Sequence, residues 1–231
     1  MLFAFCLVAF LDGLAAHVFA EAPPAGDSPP TPAVSEAKLP IRVAILIYPG
    51  VELMDFAGPA EVFIVAAEGK AYQVHTVAEK AGPLQTMGGI TIRPDFTLAD
   101  SPAPDVLIVP GGNMGNVTPE GREWIKKTAG KTQITMSVCM GALLLAQTGL
   151  LDGIEATTHH WGIANLKEAA PNCTVLASRR FVDSGKIITT AGVTAGIDGA
   201  LHIVERQLGQ AAAKWTAEEW MEHPAIPNKI P

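Results

Sequence analysis

From Ile41 onward, short runs of aliphatic and β-branched residues alternate with stretches whose apolar positions recur every three or four residues. Runs at residues 72–78 and 134–138 interleave apolar with polar residues, but those at 42–48 and 106–109 are apolar almost throughout, rather than at every second position. A strand can carry that pattern only when both its faces are covered, as in a parallel sheet with helices on either side. Parallel strands need crossover connections, and the helical stretches between the runs supply them. The chain therefore reads as one α/β domain around a mostly parallel sheet. With 231 residues and 48% hydrophobic content it can bury a full core.

Individual elements follow from local signals. Pro49-Gly50 closes the first strand, and a helix opens after Asp55 with Pro59 at its first position and Glu61 as a first-turn acid. Residues 84–86 and 90–93 flank Gly88-Gly89 as a small hairpin. Residues 106–109, closed by Pro110-Gly111-Gly112, form a central strand, and Thr118-Pro119-Glu120 begins a helix reaching Ala129. In the second half, residues 155–158 read as a strand and residues 163–170 as a helix. Residues 180–182 and 186–190 read as a hairpin around Asp183-Ser184-Gly185. Ile197, Ala200, Leu201, Val204 and Leu208 mark the buried face of an amphipathic helix, with His202 on its other side. A last helical stretch carries Trp215 and Trp220.

The segment Gln133-Ile-Thr-Met-Ser-Val-Cys139-Met-Gly-Ala-Leu-Leu-Leu-Ala-Gln147 runs from a strand straight into an apolar helix, with one cysteine at the joint. A side chain on so sharp a turn is lifted above the sheet, and small residues two positions either side, Ser137 and Gly141, keep the neighbouring backbone clear. Helix N–H groups aimed at the sulfur are expected to favour thiolate and lower the thiol pKa. A buried structural cysteine is the competing reading.

Residues 1–20 hold a short apolar run, too short to span a bilayer, followed by Val18-Phe19-Ala20, and read as a secretory signal peptide; a buried N-terminal helix is the alternative. Residues 21–40 form a Pro-rich linker, residues 41–223 the folded domain and residues 224–231 a tail. An exported, periplasmic or secreted, protein is expected. Removal of the leader would take away Cys6 and leave Cys139 and Cys173, which are expected to remain unpaired with each other. The net charge of −7 and the lack of any basic cluster beyond Lys126-Lys127 and Arg179-Arg180 give no footprint for nucleic acid or for an anionic membrane. Phosphate-loop, dinucleotide, Gly-x-Ser-x-Gly and metal-ligand spacings are missing, so the reading includes no metal and no cofactor.

Several motifs in order carry a family resemblance. Residues 48–63 (Tyr-Pro-Gly-Val-Glu-Leu-Met-Asp-Phe-Ala-Gly-Pro-Ala-Glu-Val-Phe), Asp105-Val-Leu-Ile-Val-Pro-Gly-Gly112, Ser137-Val-Cys-Met-Gly-Ala142, Gly149-Leu-Leu-Asp-Gly153, Ala156-Thr-Thr-His159 and Ala191-Gly-Val-Thr-Ala-Gly-Ile-Asp198 are the parts that match. Together they resemble the ThiJ/PfpI family of the class I glutamine-amidotransferase-like superfamily, and within it the isonitrile hydratases. The resemblance implies a flavodoxin-like three-layer sandwich, a cysteine nucleophile at Cys139, an acidic partner at Asp55 and a homodimer. Backbone N–H groups of Gly111, Gly112 and Met140 could then form an anion-stabilising pocket. Turns that simply require glycine are the plainer reading of the first two.

PfpI-type peptidases place histidine directly after the cysteine, and isonitrile hydratases commonly carry threonine there, whereas this chain has Met140. His159 falls where related members hold a histidine near the cysteine, as a general base or as a loop residue with a structural hydrogen bond. The resemblance implies a lyase that adds water to a small electrophilic isonitrile and gives an N-formamide. A glyoxalase or deglycase acting on reactive carbonyls and a ligand or redox sensor are the alternatives. The sensor would be related to the N-terminal half of AraC-type regulators, whose DNA-binding domain has no counterpart among the motifs seen.

Overall fold

The computed structural model describes residues 39–223; the expected signal peptide, the linker up to residue 38 and the tail from residue 224 lie outside the described residues. In chain order the elements are β1 (Ile41–Leu46), α1 (Leu53–Gly69), β2 (Tyr72–Ala78), β3 (Leu84–Gln85), β4 (Thr91–Ile92), β5 (Phe96–Thr97), β6 (Val106–Val109), α2 (Pro119–Lys131) and β7 (Ile134–Ser137). They continue as α3 (Gly141–Gln147), β8 (Glu155–Ala156), α4 (Ile163–Ala169), β9 (Thr174–Val175), β10 (Phe181–Ser184), β11 (Ile187–Thr190), α5 (Ala195–Leu208) and α6 (Gln210–Trp215).

The main sheet has the order β10-β11-β7-β6-β1-β2-β5. Every neighbouring pair is parallel except β10 with β11. Helices α1, α5 and α6 pack together on one side, and α2, α3 and α4 on the other. This is the three-layer sandwich expected from the alternating pattern. The continuous apolar runs find the burial they require: all of β6 is buried, as is β1 apart from Arg42, and β7 is buried with them although Thr135 and Ser137 interrupt its apolar residues. The Thr118 hydroxyl accepts from the Gly121 N–H and starts α2 where the sequence places it. The short strands β5 and β9 were not expected; at two residues each they are too brief to show a period.

Helix α1 departs from the expectation. It begins at Leu53, so Pro59 lies in its interior, Asp55 is its first-turn acid, and Glu61 is an exposed mid-helix residue. Pro59 has no N–H to return to the carbonyl of Asp55 four residues earlier. The first turn is instead gripped from outside by the β6 loop: Glu52 N–H donates to the Gly111 carbonyl (3.0 Å), and Gly111 N–H donates to Asp55 Oδ2 (3.0 Å). At the far end Ala67 and Glu68 take left-handed φ of 51° and 56° and end the helix.

Two glycines permit the close approaches on which the site depends. A Cβ on Gly141 would stand 2.1 Å from the Val109 carbonyl oxygen. One on Gly112, where φ is +120°, would stand 2.3 Å from the Gly50 carbonyl oxygen. Gly130, near the end of α2, faces open space. Gly112→Ala should therefore lower the unfolding free energy by about 2–4 kcal/mol, while Gly130→Ala should raise it by about 0.5–1 kcal/mol. Urea denaturation midpoints measure both.

Candidate active site

Strands β11, β7, β6 and β1 lie side by side and run parallel, so their C-terminal ends meet at one edge of the sheet. Ligands in open α/β sheets bind at this edge. The segments leaving these four strands carry the turn at residues 191–194, Cys139, Gly111 and Asp55 respectively.

Cys139 sits at φ +57°, the left-handed geometry of a strand-to-helix elbow, which costs a non-glycine residue about 1–3 kcal/mol. The surroundings hold it there from both sides. Its N–H donates to the Ala191 carbonyl (3.0 Å), and its own carbonyl accepts from the Thr158 hydroxyl (2.7 Å). Cys139 and Cys173 are both free, as expected.

The Asp55 carboxyl has no exposed surface. Gly111 fits between the partners so closely that a Cβ there would lie 2.9 Å from Asp55 Oδ2, 2.8 Å from the Met140 nitrogen and 3.2 Å from Cys139 Cβ. Oδ2 accepts from the Gly111 N–H (3.0 Å), whereas Oδ1 is buried without a hydrogen bond of good geometry. The Cys139 thiol and the Val193 N–H both lie near enough to act on this carboxyl.

Charge at the site is governed by burial. Desolvation pushes the Asp55 carboxyl up to about 7, with Glu52 adding to the rise and the Gly111, Cys139 and Val193 donors opposing it. Desolvation, followed by the negative charge of Asp55, pushes the Cys139 thiol up to about 12 against the Met140 and Val193 N–H groups. This corrects the expectation of a lowered thiol pKa: a helix of seven residues and two backbone donors do not outweigh burial beside a carboxylate. The two groups titrate as a pair, losing one proton near neutrality and keeping the other well above it.

The remaining expected residues fall into place unequally. The Gly111 N–H is occupied by Asp55 and does not face an open anion pocket. Gly112 lies against the backbone of residues 50–52, which makes it a close-approach glycine. The Met140 N–H acts on the sulfur, while its thioether packs so near Gly162 that a Cβ there would stand 2.5 Å from Sδ. His159 rests its ring on Gly192, and its Nδ1 accepts from the Trp161 N–H (3.2 Å). It makes no hydrogen bond to Cys139 or Asp55, and burial followed by His160 lowers its pKa, so its ring is a neutral wall of the site.

A scan against family models matches residues 41–206 to the DJ-1/PfpI family. The chain belongs to that family. Among curated DJ-1/PfpI relatives, an isonitrile hydratase of Pseudomonas putida is 32% identical over 190 residues, covering 81% of each chain. The HTH-type transcriptional regulator CdhR of Pseudomonas aeruginosa is 30% identical, covering 76% of this chain and 53% of the regulator. Among solved structures, a ThiJ/PfpI family protein from Pseudomonas syringae superimposes with a TM-score of 0.73 at 28% identity, covering 91% of this chain and 85% of that one.

Three residues at this DJ-1/PfpI site were not singled out in the sequence. Tyr48 is buried, donates its hydroxyl to the Pro110 carbonyl (3.0 Å), and is held firmly as a phenol by burial and by the charges of Asp55 and Cys139. Thr158 anchors the elbow carbonyl. Val193 places an N–H between thiol and carboxyl at φ +51°. All three lie within motifs that carry the family resemblance, and Tyr48 also ends the first apolar run, but nothing local marks Thr158 or Val193.

The raised Asp55 pKa makes stability depend on pH. The folded state holds this proton more tightly than the unfolded chain, where the value is about 3.9. The resulting stabilisation is complete below about pH 4 and lost as pH rises through about 7. Asp55→Asn, which keeps an acceptor for Gly111, should match the wild type near about pH 4 and be more stable by roughly 2–4 kcal/mol near about pH 8. Denaturant unfolding at the two pH values tests the sign.

Proposed function

We propose that this protein hydrates small isonitriles, with Cys139 as nucleophile and Asp55 as the group that moves protons. The carrying observation is a carboxyl that ionises near neutrality in contact with a thiol that does not ionise alone. With one proton on the pair, Asp55 accepts it from sulfur as sulfur bonds to the terminal carbon, and then delivers it to that carbon. The carbon–nitrogen triple bond becomes a double bond in a thioimidate. Water adds to the thioimidate carbon, losing one proton to Asp55, which passes it to nitrogen. The remaining hydroxyl proton returns to Asp55 as the carbonyl forms and the carbon–sulfur bond breaks, releasing an N-formamide. The N–H groups of Met140 and Val193 stabilise the negative charge that develops on sulfur. The 32% identity to an isonitrile hydratase supports this chemistry over other cysteine additions.

A second reading, that the site binds a small ligand without turning it over, is supported by the similarity to the regulator CdhR. The thioether of Met140 replaces a side chain that could hold water, which suits a ligand pocket as well as an active site.

Formamide production followed by NMR separates the two readings. On the hydratase reading, kcat/KM rises with pH through a midpoint near the Asp55 value of about 7. Cys139→Ala abolishes turnover, and Asp55→Asn lowers kcat by about 10²–10⁴-fold. Saturable binding of isonitriles with no turnover by the wild type would leave the ligand-binding reading in its place.

A further inference from the structure

We infer that Arg180 is a positioning residue for Cys139: its guanidinium, seated on Asp198, fixes the turn at residues 191–194 beside the thiol. The inference rests on Cys139 being the reacting group.

One residue grips that turn at both ends. The Arg180 main-chain carbonyl accepts from the Ala191 N–H (2.7 Å), and the Ala191 carbonyl accepts from the Cys139 N–H (3.0 Å). The Arg180 side chain reaches Asp198 Oδ2 with Nε and a terminal nitrogen, and a terminal nitrogen also donates to the Thr194 hydroxyl (3.3 Å). Only 17% of the Arg180 side chain and 10% of the Asp198 side chain are exposed, so this is no solvated surface pair. The other Asp198 oxygen is held by His223 Nε2 at 2.9 Å.

Between the two grips lies Val193, whose φ of +51° is a conformation that β-branched residues rarely adopt. Such a residue stays there only when its surroundings over-determine it. Its N–H faces the Cys139 sulfur and the Asp55 carboxyl, so the direction of that donor depends on the turn being held. The planar fork of arginine spans Asp198 and Thr194 together; the single ammonium of lysine cannot.

The test is the rate of Cys139 alkylation by iodoacetamide across a pH series in the full chain, read by peptide mass spectrometry. Cys173, partly exposed in the connection between α4 and β9, is the internal reference. Arg180→Met should slow Cys139 by about tenfold to a hundredfold near neutrality and move its pH midpoint upward, with Cys173 unchanged. Arg180→Lys keeps a charge on Asp198 and should show the same effect, so it carries the test if the Met variant does not fold. Arg206→Met is the control, because Arg206 also ties β10 to α5, through Asp183 and the Gly185 carbonyl, without touching residues 191–194. An unchanged Cys139 profile in Arg180→Lys, or the same shift in Arg206→Met, overturns the positioning role. Isonitrile turnover by the wild type is measured alongside: its absence, with the Arg180 effect intact, sinks the hydratase reading and leaves this one standing.

Discussion

A carboxyl group with no exposed surface can sit against a thiol only if the protein supplies donors for one negative charge and withholds a second. That constraint organises the sheet edge. Asp55 receives the Gly111 N–H, the sulfur receives the Met140 N–H, and Val193 serves both. These donors come from backbone, which places them rigidly and brings no countercharge that would hold both groups ionised. The pair is left with one mobile proton at neutral pH, the state in which an acid–base partner and a nucleophile can exchange roles.

The fold delivers those donors through a specific adjacency. Because β11, β7, β6 and β1 are consecutive in the sheet and parallel, four loops distant in sequence begin side by side, each one strand spacing from the next. The loops then lock one another. The β6 loop exchanges two hydrogen bonds with the start of α1, the turn after β11 takes the elbow N–H, and Thr158 takes the elbow carbonyl. Cys139 and Val193, two non-glycine residues in left-handed geometry, face each other across this arrangement. Each is tolerated because neighbours fix its peptide groups, and strain of this kind gathers where a side chain or an N–H must be aimed.

What the sequence revealed follows from how each feature is encoded. The parallel sheet was legible because complete burial leaves an unbroken apolar run. The elbow was legible because a strand, a cysteine and a helix are contiguous between Ile134 and Gln147. Asp55 emerged through a family motif, since nothing local distinguishes it from a helix cap. The start of α1 was misplaced because Pro59 is a reliable mark of a first turn only when the turn has no outside support, and here Gly111 supplies that support. The sign of the thiol shift was misjudged for a related reason: helix geometry is written locally, whereas desolvation depends on everything that packs above the sulfur. Val193 and Thr158 lie within family motifs, but they act through main-chain and long-range contacts that give their own positions no local signature.

The orphan oxygen of Asp55 argues that this arrangement serves chemistry more than stability. A buried acceptor without a partner costs about 1–3 kcal/mol, and a carboxyl driven up to about 7 adds a pH-dependent penalty above its ordinary range. Asparagine could meet the Gly111 N–H without the pH-dependent penalty, and a nearby lysine or arginine could neutralise the charge. Either remedy would remove the feature that sets this carboxyl apart, a proton released near neutrality within reach of a sulfur. A residue whose replacement should strengthen the fold has its physical justification in what passes across the sheet edge, and the free lone pairs on Oδ1 are where such a proton can be received.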